Sequence, residues 1–408
     1  MFREYDNTIN KCHIYLDDSY EPLVLPCIFA RYTEILGLKI IRKKVRNEVT
    51  GRYNDFIEEK EIGHDAGYKI CNHLGRFLEW IDNYTSEEHV SLNTHSAFPP
   101  ELINAYVNEY LINECNKSEQ VVLDAADSLT SYYNFLAYYF DNRHKEIFIK
   151  PSLRPIARNN SKRSSHINYL LPSTRELFYR KAETLLHEIV LRNGGDLGCR
   201  AKENQGFLLN DFYANKKRYK GLLSLFKELK SNPSKDEFEY HLSSLYTKMG
   251  RSRTLYIPRQ LLEKMYRYYK TERPKTDSNH LLVSNSNNDS NGRCISKGFP
   301  SDVFLKIKSE LIEETSKHKE LYSNLQRIDV DWSYHTLRHS FGTDLFYNLC
   351  EGQNKRIESI TTTSSVYIET ARRLGHKVDG RGAIEVTKSY IHSCGYRETL
   401  LREVTDVF

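Results

Sequence analysis

The residues with the clearest chemical potential lie together at positions 332–346, Trp-Ser-Tyr-His-Thr-Leu-Arg-His-Ser-Phe-Gly-Thr-Asp-Leu-Phe. In a helix, His335, Arg338 and His339 occupy positions i, i+3 and i+4, so the imidazole of His335 and the guanidinium of Arg338 share a face. A guanidinium offers paired donors to phosphate oxygens, and an imidazole carries a proton near neutral pH. His-x-x-Arg on its own would indicate only a solvated helix face, but in the context of the full stretch it marks a candidate functional helix.

Two further motifs follow downstream. The first reads Ala-Arg-Arg-Leu-Gly-His and ends at His376, and the second reads Lys-Ser-Tyr-Ile-His with its tyrosine at position 390. Tyr390 has polar neighbours and does not belong to an apolar stripe. The chain contains 29 tyrosines, so packing is the default interpretation of any single one. The neighbouring motifs are what distinguish Tyr390 as a candidate nucleophile.

Together, the His-x-x-Arg-His, Leu-Gly-His and Tyr motifs resemble the tyrosine recombinase (phage-integrase-like) family of site-specific DNA recombinases. The resemblance continues upstream. Residues 198–203, Gly-Cys-Arg-Ala-Lys-Glu, are similar to the turn that carries the family's first catalytic arginine. Residues 248–258, Lys-Met-Gly-Arg-Ser-Arg-Thr-Leu-Tyr-Ile-Pro, are similar to its lysine-bearing β-hairpin. These landmarks occur in the family's order and the resemblance covers residues 65–408.

The resemblance implies transesterification on DNA without a metal ion or cofactor, and the sequence shows no convincing carboxylate cluster. The implied catalytic residues are Arg200, Lys248, His335, Arg338, His376 and Tyr390. The two arginines would neutralise the phosphate, and His376 would bond to it. His335 would accept the tyrosine proton, and Lys248 would protonate the departing 5′ oxygen. Tyr390 would form a 3′-phosphotyrosyl intermediate, which a second 5′-hydroxyl then attacks.

Two neighbours of these residues, Glu203 and His339, have no obvious chemical task and are expected to support the site structurally. The intervals between the motifs are longer than in compact members of the family. Insertions such as 215–242 and 350–364 explain this length if they loop outward. The nearest alternative nucleophile is Tyr396, which lies in Cys-Gly-Tyr-Arg-Glu.

The length of the chain limits the number of domains that can position these residues. At roughly 150 residues per domain, 408 residues predict two or three domains. Hydrophobic residues make up 39% and charged residues 28%, so the chain can build cores. We expect a mainly α fold with a small β-sheet, comprising a helical core-binding domain and a mixed α/β tyrosine-recombinase catalytic domain. The expected segments are 1–64 (N-terminal module, a candidate for arm-type DNA binding), 65–142 (helical core-binding DNA domain), 143–164 (basic linker) and 165–408 (catalytic domain).

Local patterns refine this picture. Apolar residues recur with helical spacing over 70–81, whereas short apolar runs in 24–41 favour strands or a small irregular module. A capping-box pattern at Ser173 predicts one helix with apolar residues through 189, which ends at Asn-Gly-Gly, residues 193–195. Two strands are predicted at 245–249 and 253–258, around a Gly-Arg-Ser turn.

The segment 143–163 carries seven Lys or Arg residues against one Glu. Its prolines and small polar residues disfavour helix, which predicts an extended linker. A solvated tether needs no charge bias, so we favour a strap that lies along DNA phosphates. The predicted DNA-binding residues are Arg154, Arg158, Lys162 and Arg163.

Composition excludes several classes of protein. No apolar stretch is long enough to cross a bilayer, and the first residues lack a signal-peptide core. The eight cysteines are scattered without a Cys-x-x-Cys pair, which argues against a zinc site or a disulfide framework and fits a reducing compartment. We therefore expect a cytoplasmic, nucleoid-associated protein with no membrane partner.

The leading interpretation is a site-specific recombinase that integrates or excises a mobile element. Its expected partners are double-stranded DNA, further copies of itself in a tetrameric synapse and accessory DNA-bending proteins. The alternatives are a type IB-like topoisomerase or hairpin-forming resolvase, and a non-catalytic DNA-binding regulator of the same fold. An apolar helical face at the end of the chain is expected to dock either on its own domain or on a neighbouring protomer, and it comprises Leu400, Leu401, Val404, Val407 and Phe408.

Overall fold

The computed structural model describes residues 1–6, 11–46, 51, 53–84, 91–160, 169–214, 216–247, 250–318, 320–322, 325–376, 378, 389 and 393–401. The chain divides into two compact units, Met1–His166 and Ile167–Phe408. Both are mainly helical, and the strands within the described ranges form two-stranded antiparallel sheets. This confirms the predicted fold class. Of the described helices, none combines the length and apolar character needed to span a membrane.

The first unit begins with two hairpins and continues with helices. Its strands are β1 (Phe2–Tyr5), β2 (His13–Leu16), β3 (Leu38–Arg46) and β4 (Tyr53–Glu61), paired β1 with β2 and β3 with β4. Its α-helices are α1 (Val24–Ala30), α2 (His64–Asp82), α3 (Pro100–Ala105), α4 (Glu119–Tyr139) and α5 (Arg154–Asn160). π-Helical turns continue α1 over Arg31–Ile35 and α3 over Tyr106–Glu114, and a 3₁₀ turn spans Leu92–Ala97.

One hydrophobic core holds the first unit together. Tyr15 and Phe29 are fully buried in the same cluster as Leu74 of α2 and Leu129 of α4. The N-terminal residues therefore share a core with the helices that follow. The helical prediction for 70–81 is confirmed by α2, whose apolar residues point into this core.

The strand predicted from the apolar residues near position 24 is wrong, because this region forms α1. Val24 and Ile28, which suggested the strand, lie on the exposed side of that helix. Phe29 and Ala30 are buried and anchor the helix in the core. Tertiary burial of two residues outweighs the local preference of β-branched residues for strands.

Residues 143–160 differ from the expected extended linker, because they pack on the first unit. Lys145 is buried, and its ammonium donates to the carbonyl oxygen of Ser96 at 2.8 Å. Burial lowers the pKa of Lys145 to about 8. The side-chain amides of Asn104 and Asn108 each donate to and accept from the backbone of residues 146–150 at 2.7–3.0 Å. These amides satisfy backbone groups that would otherwise need water, so the segment can dock.

The predicted DNA-binding residues of this segment have different surroundings. Arg154 is exposed on α5, and Arg158 is exposed but pairs with Glu119 at 2.8 Å. Lys162 and Arg163 lie outside the described residues. A role of these four residues in DNA binding remains a prediction.

The second unit contains the candidate site. Its strands are β5 (Phe212–Ala214), β6 (Lys217–Tyr219), β7 (Glu237–Leu242) and β8 (Arg253–Pro258), paired β5 with β6 and β7 with β8. Its helices are α6 (Pro172–Arg180), α7 (Leu185–Gly195), α8 (Leu222–Ser231), α9 (Arg259–Thr271), α10 (Phe299–Lys317), α11 (Tyr334–Gly352) and α12 (Ser365–Leu374). Short 3₁₀ turns span Ala201–Gly206, Ser244–Tyr246 and Ile357–Ser359, and residues 393–401 are helical.

Two local predictions for this unit are wrong. The single helix predicted over 173–189 is two helices, because Thr184 caps α7 by accepting a bond from the backbone N–H of His187 at 3.2 Å. The strand predicted at 245–249 lies earlier, at β7, whose alternate residues are buried. Leu242 pairs with Arg253 at the end of this hairpin, so Lys248 belongs to the connection between β7 and β8, outside the described residues.

The described part of the C-terminal helix packs on its own unit. Leu400 is 8% exposed and packs with Tyr169 and Leu171. The guanidinium of Arg397 donates to the carboxylate of Asp344 on α11 at 3.2 Å. Residues 404, 407 and 408 of the predicted apolar face lie outside the described residues. The contacts described for this helix are therefore made in cis.

We expect Leu400→Ala to lower the free energy of unfolding of the second unit by about 2–3 kcal/mol, because a buried side chain loses its contacts. Leu401→Ala is the matched control. Leu401 is 38% exposed, so its truncation should change stability by less than about 0.5 kcal/mol. Urea denaturation followed by circular dichroism measures both variants. Equal stability of the two variants would contradict packing in cis.

Candidate active site

A buried carboxylate, Glu203, lies at the centre of the candidate site. Its Oε1 accepts a bond from Nη1 of Arg200 at 2.8 Å, and its Oε2 accepts one from Nη2 of Arg253 at 2.7 Å. Nη1 of Arg338 lies 3.6 Å from the same Oε2. Three guanidinium groups from different elements therefore share one carboxylate, and two of them are the predicted Arg200 and Arg338.

The ionisation of Glu203 is set by these neighbours. Burial alone would raise the pKa of this carboxyl group. The charges of Arg253, Arg338 and Arg200, together with the bond from the backbone N–H of Arg200, hold it below its usual value instead. Glu203 is therefore ionised at neutral pH, and the cluster of three arginines and one glutamate carries a net positive charge.

The turn after α7 is shaped to bring these groups together. Gly198 has φ +62°, and a Cβ at this position would lie 2.5 Å from the ring of Phe341. Its carbonyl oxygen accepts bonds from Nη2 of Arg253, at 3.0 Å, and from Nη1 of Arg338. A glycine is required here because a side chain would be strained and would collide with α11. The glycine of the Gly-x-Arg motif thus orients both buried arginines.

Hydrogen bonds at the first turn of α11 cap this helix and attach it to its neighbours. The backbone N–H of Ser333 donates to the hydroxyl of Thr336 at 3.0 Å, which caps the helix. The hydroxyl of Tyr334 accepts a bond from the amide of Asn204 and donates to the carbonyl oxygen of Val190, both at 2.9 Å. These bonds tie the start of α11 to the arginine turn and to α7, so the direction of Arg338 is determined.

The histidines of α11 lie on its outer side. His335 and His339 are both exposed, and their rings contact edge to face with centroids 4.5 Å apart. Arg338, which lies between them in sequence, is 3% exposed and points inward. The predicted shared face of His335 and Arg338 is therefore not observed. The guanidinium of Arg338 is drawn inward to Glu203 and the carbonyl oxygen of Gly198, whereas both imidazoles are exposed.

His376 joins the cluster from the end of α12. The backbone N–H groups of Gly375 and His376 bond to the carbonyl oxygens of Arg372 and Ala371, at 3.0 and 2.8 Å, which is the Schellman pattern of a helix end. This turn places Nε2 of His376 3.2 Å from Nη2 of Arg338. The Leu-Gly-His motif thus ends α12 and places the imidazole of His376 next to Arg338.

The protonation state of His376 follows from its surroundings. Burial lowers its pKa to about 3, with further contributions from the charges of Arg338, Arg200 and Arg253. The ring is therefore neutral, and because Nε2 faces the N–H of Arg338 it acts as an acceptor. The ring proton then resides on Nδ1, a buried atom with no hydrogen-bond partner among the described residues.

Arg253 is a site residue that sequence reasoning missed. It is 2% exposed, and its Nη1 donates to the carbonyl oxygen of Arg373, which connects β8 to the end of α12. Arg253, Leu255 and Ile257 are the buried residues of β8. The alternation of this strand places a charged residue on the inward face, and that signal was present in the sequence.

The structure thus brings Arg200, Glu203, Arg338 and His376 together, and it places His335 and His339 on the exposed side of the same helix α11. Lys248 and Tyr390 lie outside the described residues, so their positions remain predictions. The alternative nucleophile Tyr396 is 39% exposed on the C-terminal helix.

Comparison with solved structures finds similarity in fold to DNA-bound recombinases and integrases. XerH site-specific recombinase bound to difH is 10% identical, with a TM-score of 0.44 over 90% of each chain. A Tn1549 transposon integrase bound to transposon right-end DNA is 13% identical, with a TM-score of 0.44 over 81% of this chain and 89% of the integrase. A lambda integrase dimer on a COC′ core site is 13% identical, with a TM-score of 0.38 over 78% of this chain and 94% of the integrase. No family model and no curated protein matches in sequence. With overall similarity this low, we base the functional assignment on side-chain geometry.

We expect Glu203→Gln to lower the free energy of unfolding at neutral pH by about 3–5 kcal/mol, because buried arginines lose their shared counter-charge. The pKa of Glu203 is lower in the folded than in the unfolded chain. Its stabilising contribution is thus fully present above the usual value of 4.5 and is lost as pH falls through the lower folded value. When the pH is lowered from neutral to below the folded pKa of Glu203, the free energy of unfolding should therefore fall less in Glu203→Gln than in the wild type.

Urea denaturation at a series of pH values measures this difference. Glu313→Gln is the control, since Glu313 is exposed and pairs only with Lys317 one helical turn away in the described structure. Its substitution should change stability by less than about 0.5 kcal/mol. An equal effect of the two substitutions would show that Glu203 does not stabilise the arginine cluster.

Proposed function

We propose that the chain is a site-specific DNA recombinase that integrates or excises a mobile element through a 3′-phosphotyrosyl intermediate. The observation that carries this proposal is the sharing of one buried carboxylate by Arg200, Arg253 and Arg338, with neutral His376 bonded to Arg338. Such a site suits a phosphodiester, whose transition state spreads negative charge over the non-bridging oxygens.

The charge of the cluster supports phosphate binding. Three guanidinium groups and one carboxylate leave two positive charges in a partly buried site, where attraction to an anion is stronger than in water. Arg200 is the more accessible of the three, at 25% exposure against 2% for Arg253 and 3% for Arg338. Exposure therefore favours Arg200 for direct, bidentate contact with the scissile phosphate. Arg338 is as buried as Arg253, and its assignment as the second phosphate-binding arginine rests on the His-x-x-Arg resemblance. Arg253 is assigned a positioning role.

His376 supports the same assignment. Its Nδ1–H is buried without an acceptor among the described residues, and an unpaired buried donor costs free energy of about 1–3 kcal/mol. A non-bridging phosphate oxygen bound between the arginines would accept this bond. Because the pKa of His376 is lowered to about 3, the residue would serve as a neutral donor and not as the base.

The nucleophile is assigned to Tyr390 through its place in the chain. Tyr390 directly follows Ser389, whose carbonyl oxygen accepts a bond from the hydroxyl of Ser393 at 2.7 Å. The helix at 393–401 packs on α11 through Arg397 and Asp344. α11 also carries His335 and Arg338. Ser389 and the helix at 393–401, which flank Tyr390 in sequence, are thus linked to α11, and the position of Tyr390 itself is part of the proposal.

The proposed reaction proceeds by two transesterifications. The hydroxyl oxygen of Tyr390 attacks the phosphorus atom while exposed His335 accepts its proton. The bond from phosphorus to the 5′ oxygen breaks, and Lys248 donates the proton that makes the departing 5′-hydroxyl neutral. A 5′-hydroxyl from a second strand then attacks the phosphotyrosine and gives its proton back to Lys248, while Tyr390 leaves with a proton returned by His335. The number of phosphodiester bonds is unchanged, so no external energy source is needed.

The proposed partners are double-stranded DNA and further copies of the chain, because exchange between two duplexes needs four active sites in a tetrameric synapse. Accessory DNA-bending proteins belong to the same proposal. Exchange of strands between two marked duplexes supports recombination. Relaxation of supercoiled DNA without any preferred site would identify a topoisomerase instead, and DNA binding without covalent attachment would identify a regulator.

We expect Tyr390→Phe to abolish covalent attachment to DNA while DNA binding stays within about twofold, since only the nucleophilic oxygen is removed. Covalent adducts formed with a DNA fragment library are sequenced to locate the cleavage site. A nicked substrate built on that site is then run on a denaturing gel. Tyr396→Phe is the matched control and should retain the adduct. The reverse result would move the nucleophile to Tyr396.

We expect Arg200→Lys and Arg338→Lys each to slow adduct formation by about 100-fold or more, because lysine keeps the charge but loses the paired donors. Arg180→Lys is the control, since Arg180 is 77% exposed and pairs with Glu176 on α6. Single-turnover cleavage of the nicked substrate gives the rates, and a filter-binding assay checks that DNA is still bound. If either variant cleaved as fast as Arg180→Lys, the proposed contact of that arginine with the scissile phosphate would be contradicted.

A further inference from the structure

A second polar cluster lies in the interior of the first unit, and the proposed recombinase chemistry does not use it. It consists of His13 on β2, Glu34 in the π-helical turn Arg31–Ile35, and Cys71 on α2. His13 is 4% exposed, Glu34 5% and Cys71 0%. Three metal-ligating side chains from three separate elements thus converge in a core, where each would be costly without a partner.

The contacts between these groups are close. Nδ1 of His13 lies 2.9 Å from Oε1 of Glu34, and the backbone N–H of His13 donates to Oε2 at 2.7 Å. One ligand atom from each of the three residues lies within 4.8 Å of the other two. In a tetrahedral zinc site, bonds of about 2.0–2.3 Å bring any two ligand atoms to within about 4 Å of each other. Shifts of the order of 1 Å would therefore complete such a site.

The backbone is built to bring Glu34 to α2. A Cβ at Gly67 would lie 2.8 Å from the carbonyl oxygen of Thr33 and 3.4 Å from Cα of Glu34. Gly67 and Cys71 are one turn apart on the same face of α2, so the close approach at Gly67 brings Glu34 to the thiol. A π-helical turn at Glu34 is the second local irregularity here, and such turns recur at functional sites.

We propose that His13, Glu34 and Cys71 bind a Zn²⁺ ion. Imidazole, carboxylate and thiolate are all zinc ligands, and a fourth position remains for water or another side chain. Binding would convert the Cys71 thiol to a thiolate and release its proton, and His13 would bind the ion through Nδ1, the ring atom that faces Glu34. A dipositive ion with one thiolate and one carboxylate is electrically neutral, which suits a buried location.

The ion would fasten the β1–β2 hairpin and the π-helical turn to α2. His13 and Glu34 are 21 residues apart in sequence, and Cys71 lies beyond the β3–β4 hairpin, in the first half of α2. The absence of a Cys-x-x-Cys pair therefore did not exclude this site, because its ligands come from three elements that meet only in the folded unit. The role is structural and independent of the proposed catalytic site.

The full-length chain, dialysed against a chelator, is titrated with Zn²⁺ and separately with Co²⁺ as a spectroscopic probe. We expect one equivalent of Zn²⁺ to bind and to raise the melting temperature of the first unit by about 5 °C. Co²⁺ should give a thiolate-to-metal absorption band in the near ultraviolet. Cys71→Ser should lose the band and the thermal shift, and Glu34→Gln should weaken Zn²⁺ binding at least tenfold.

Cys350→Ser is the matched control, because Cys350 is also buried but belongs to the second unit. It should keep the absorption band and the thermal shift. A wild-type chain that shows no thiolate band with Co²⁺ would overturn the proposal, and so would a band that persists in Cys71→Ser. The wild-type spectrum alone decides the matter if a variant fails to fold.

Discussion

The candidate site depends on the attraction between one carboxylate and three guanidinium groups. Without Glu203, the side chains of Arg200, Arg253 and Arg338 would place three positive charges side by side in a partly buried space, where repulsion is poorly screened. With Glu203, the arrangement is stable and still carries a net positive charge. One anion is thus enough to hold the arginines together and too little to neutralise them, and in the proposed reaction the scissile phosphate would supply the missing negative charge.

The same bonds that build this cluster also join the elements around it. Arg253 connects β8 to the turn at Gly198 and to the end of α12, and Arg338 connects α11 to the same turn and to the carbonyl oxygen of Leu374. The arginines therefore occupy defined positions before any substrate binds. A site whose donors are already oriented needs little rearrangement in the transition state, and this preorganisation is a main source of electrostatic catalysis.

Buried polar side chains have a comparable structural part in the first unit. Asn104 and Asn108 satisfy the backbone of residues 146–150, and Lys145 donates to backbone carbonyl oxygens. These contacts convert a segment that reads as a solvated cationic linker into a docked one. Counting charges along the chain could not show this, because a lysine in the core and a lysine on the surface contribute equally to the net charge.

The sequence by itself predicted the helical character of this protein and most of the residues that meet at the candidate site. Spacing along one helix placed His335, Arg338 and His339, and glycine at Gly198 and Gly375 marked the turns that hold Arg200 and His376, because these are local consequences of backbone geometry. Strand alternation could have marked Arg253 as an inward-facing residue, but only the tertiary structure showed that it binds Glu203. Only the tertiary structure decided that β7 and not residues 245–249 pairs with β8, and that His13, Glu34 and Cys71 meet. Such contacts join residues far apart in the chain, and they form because burying a charge or a strand edge requires a partner, whose identity local patterns do not specify.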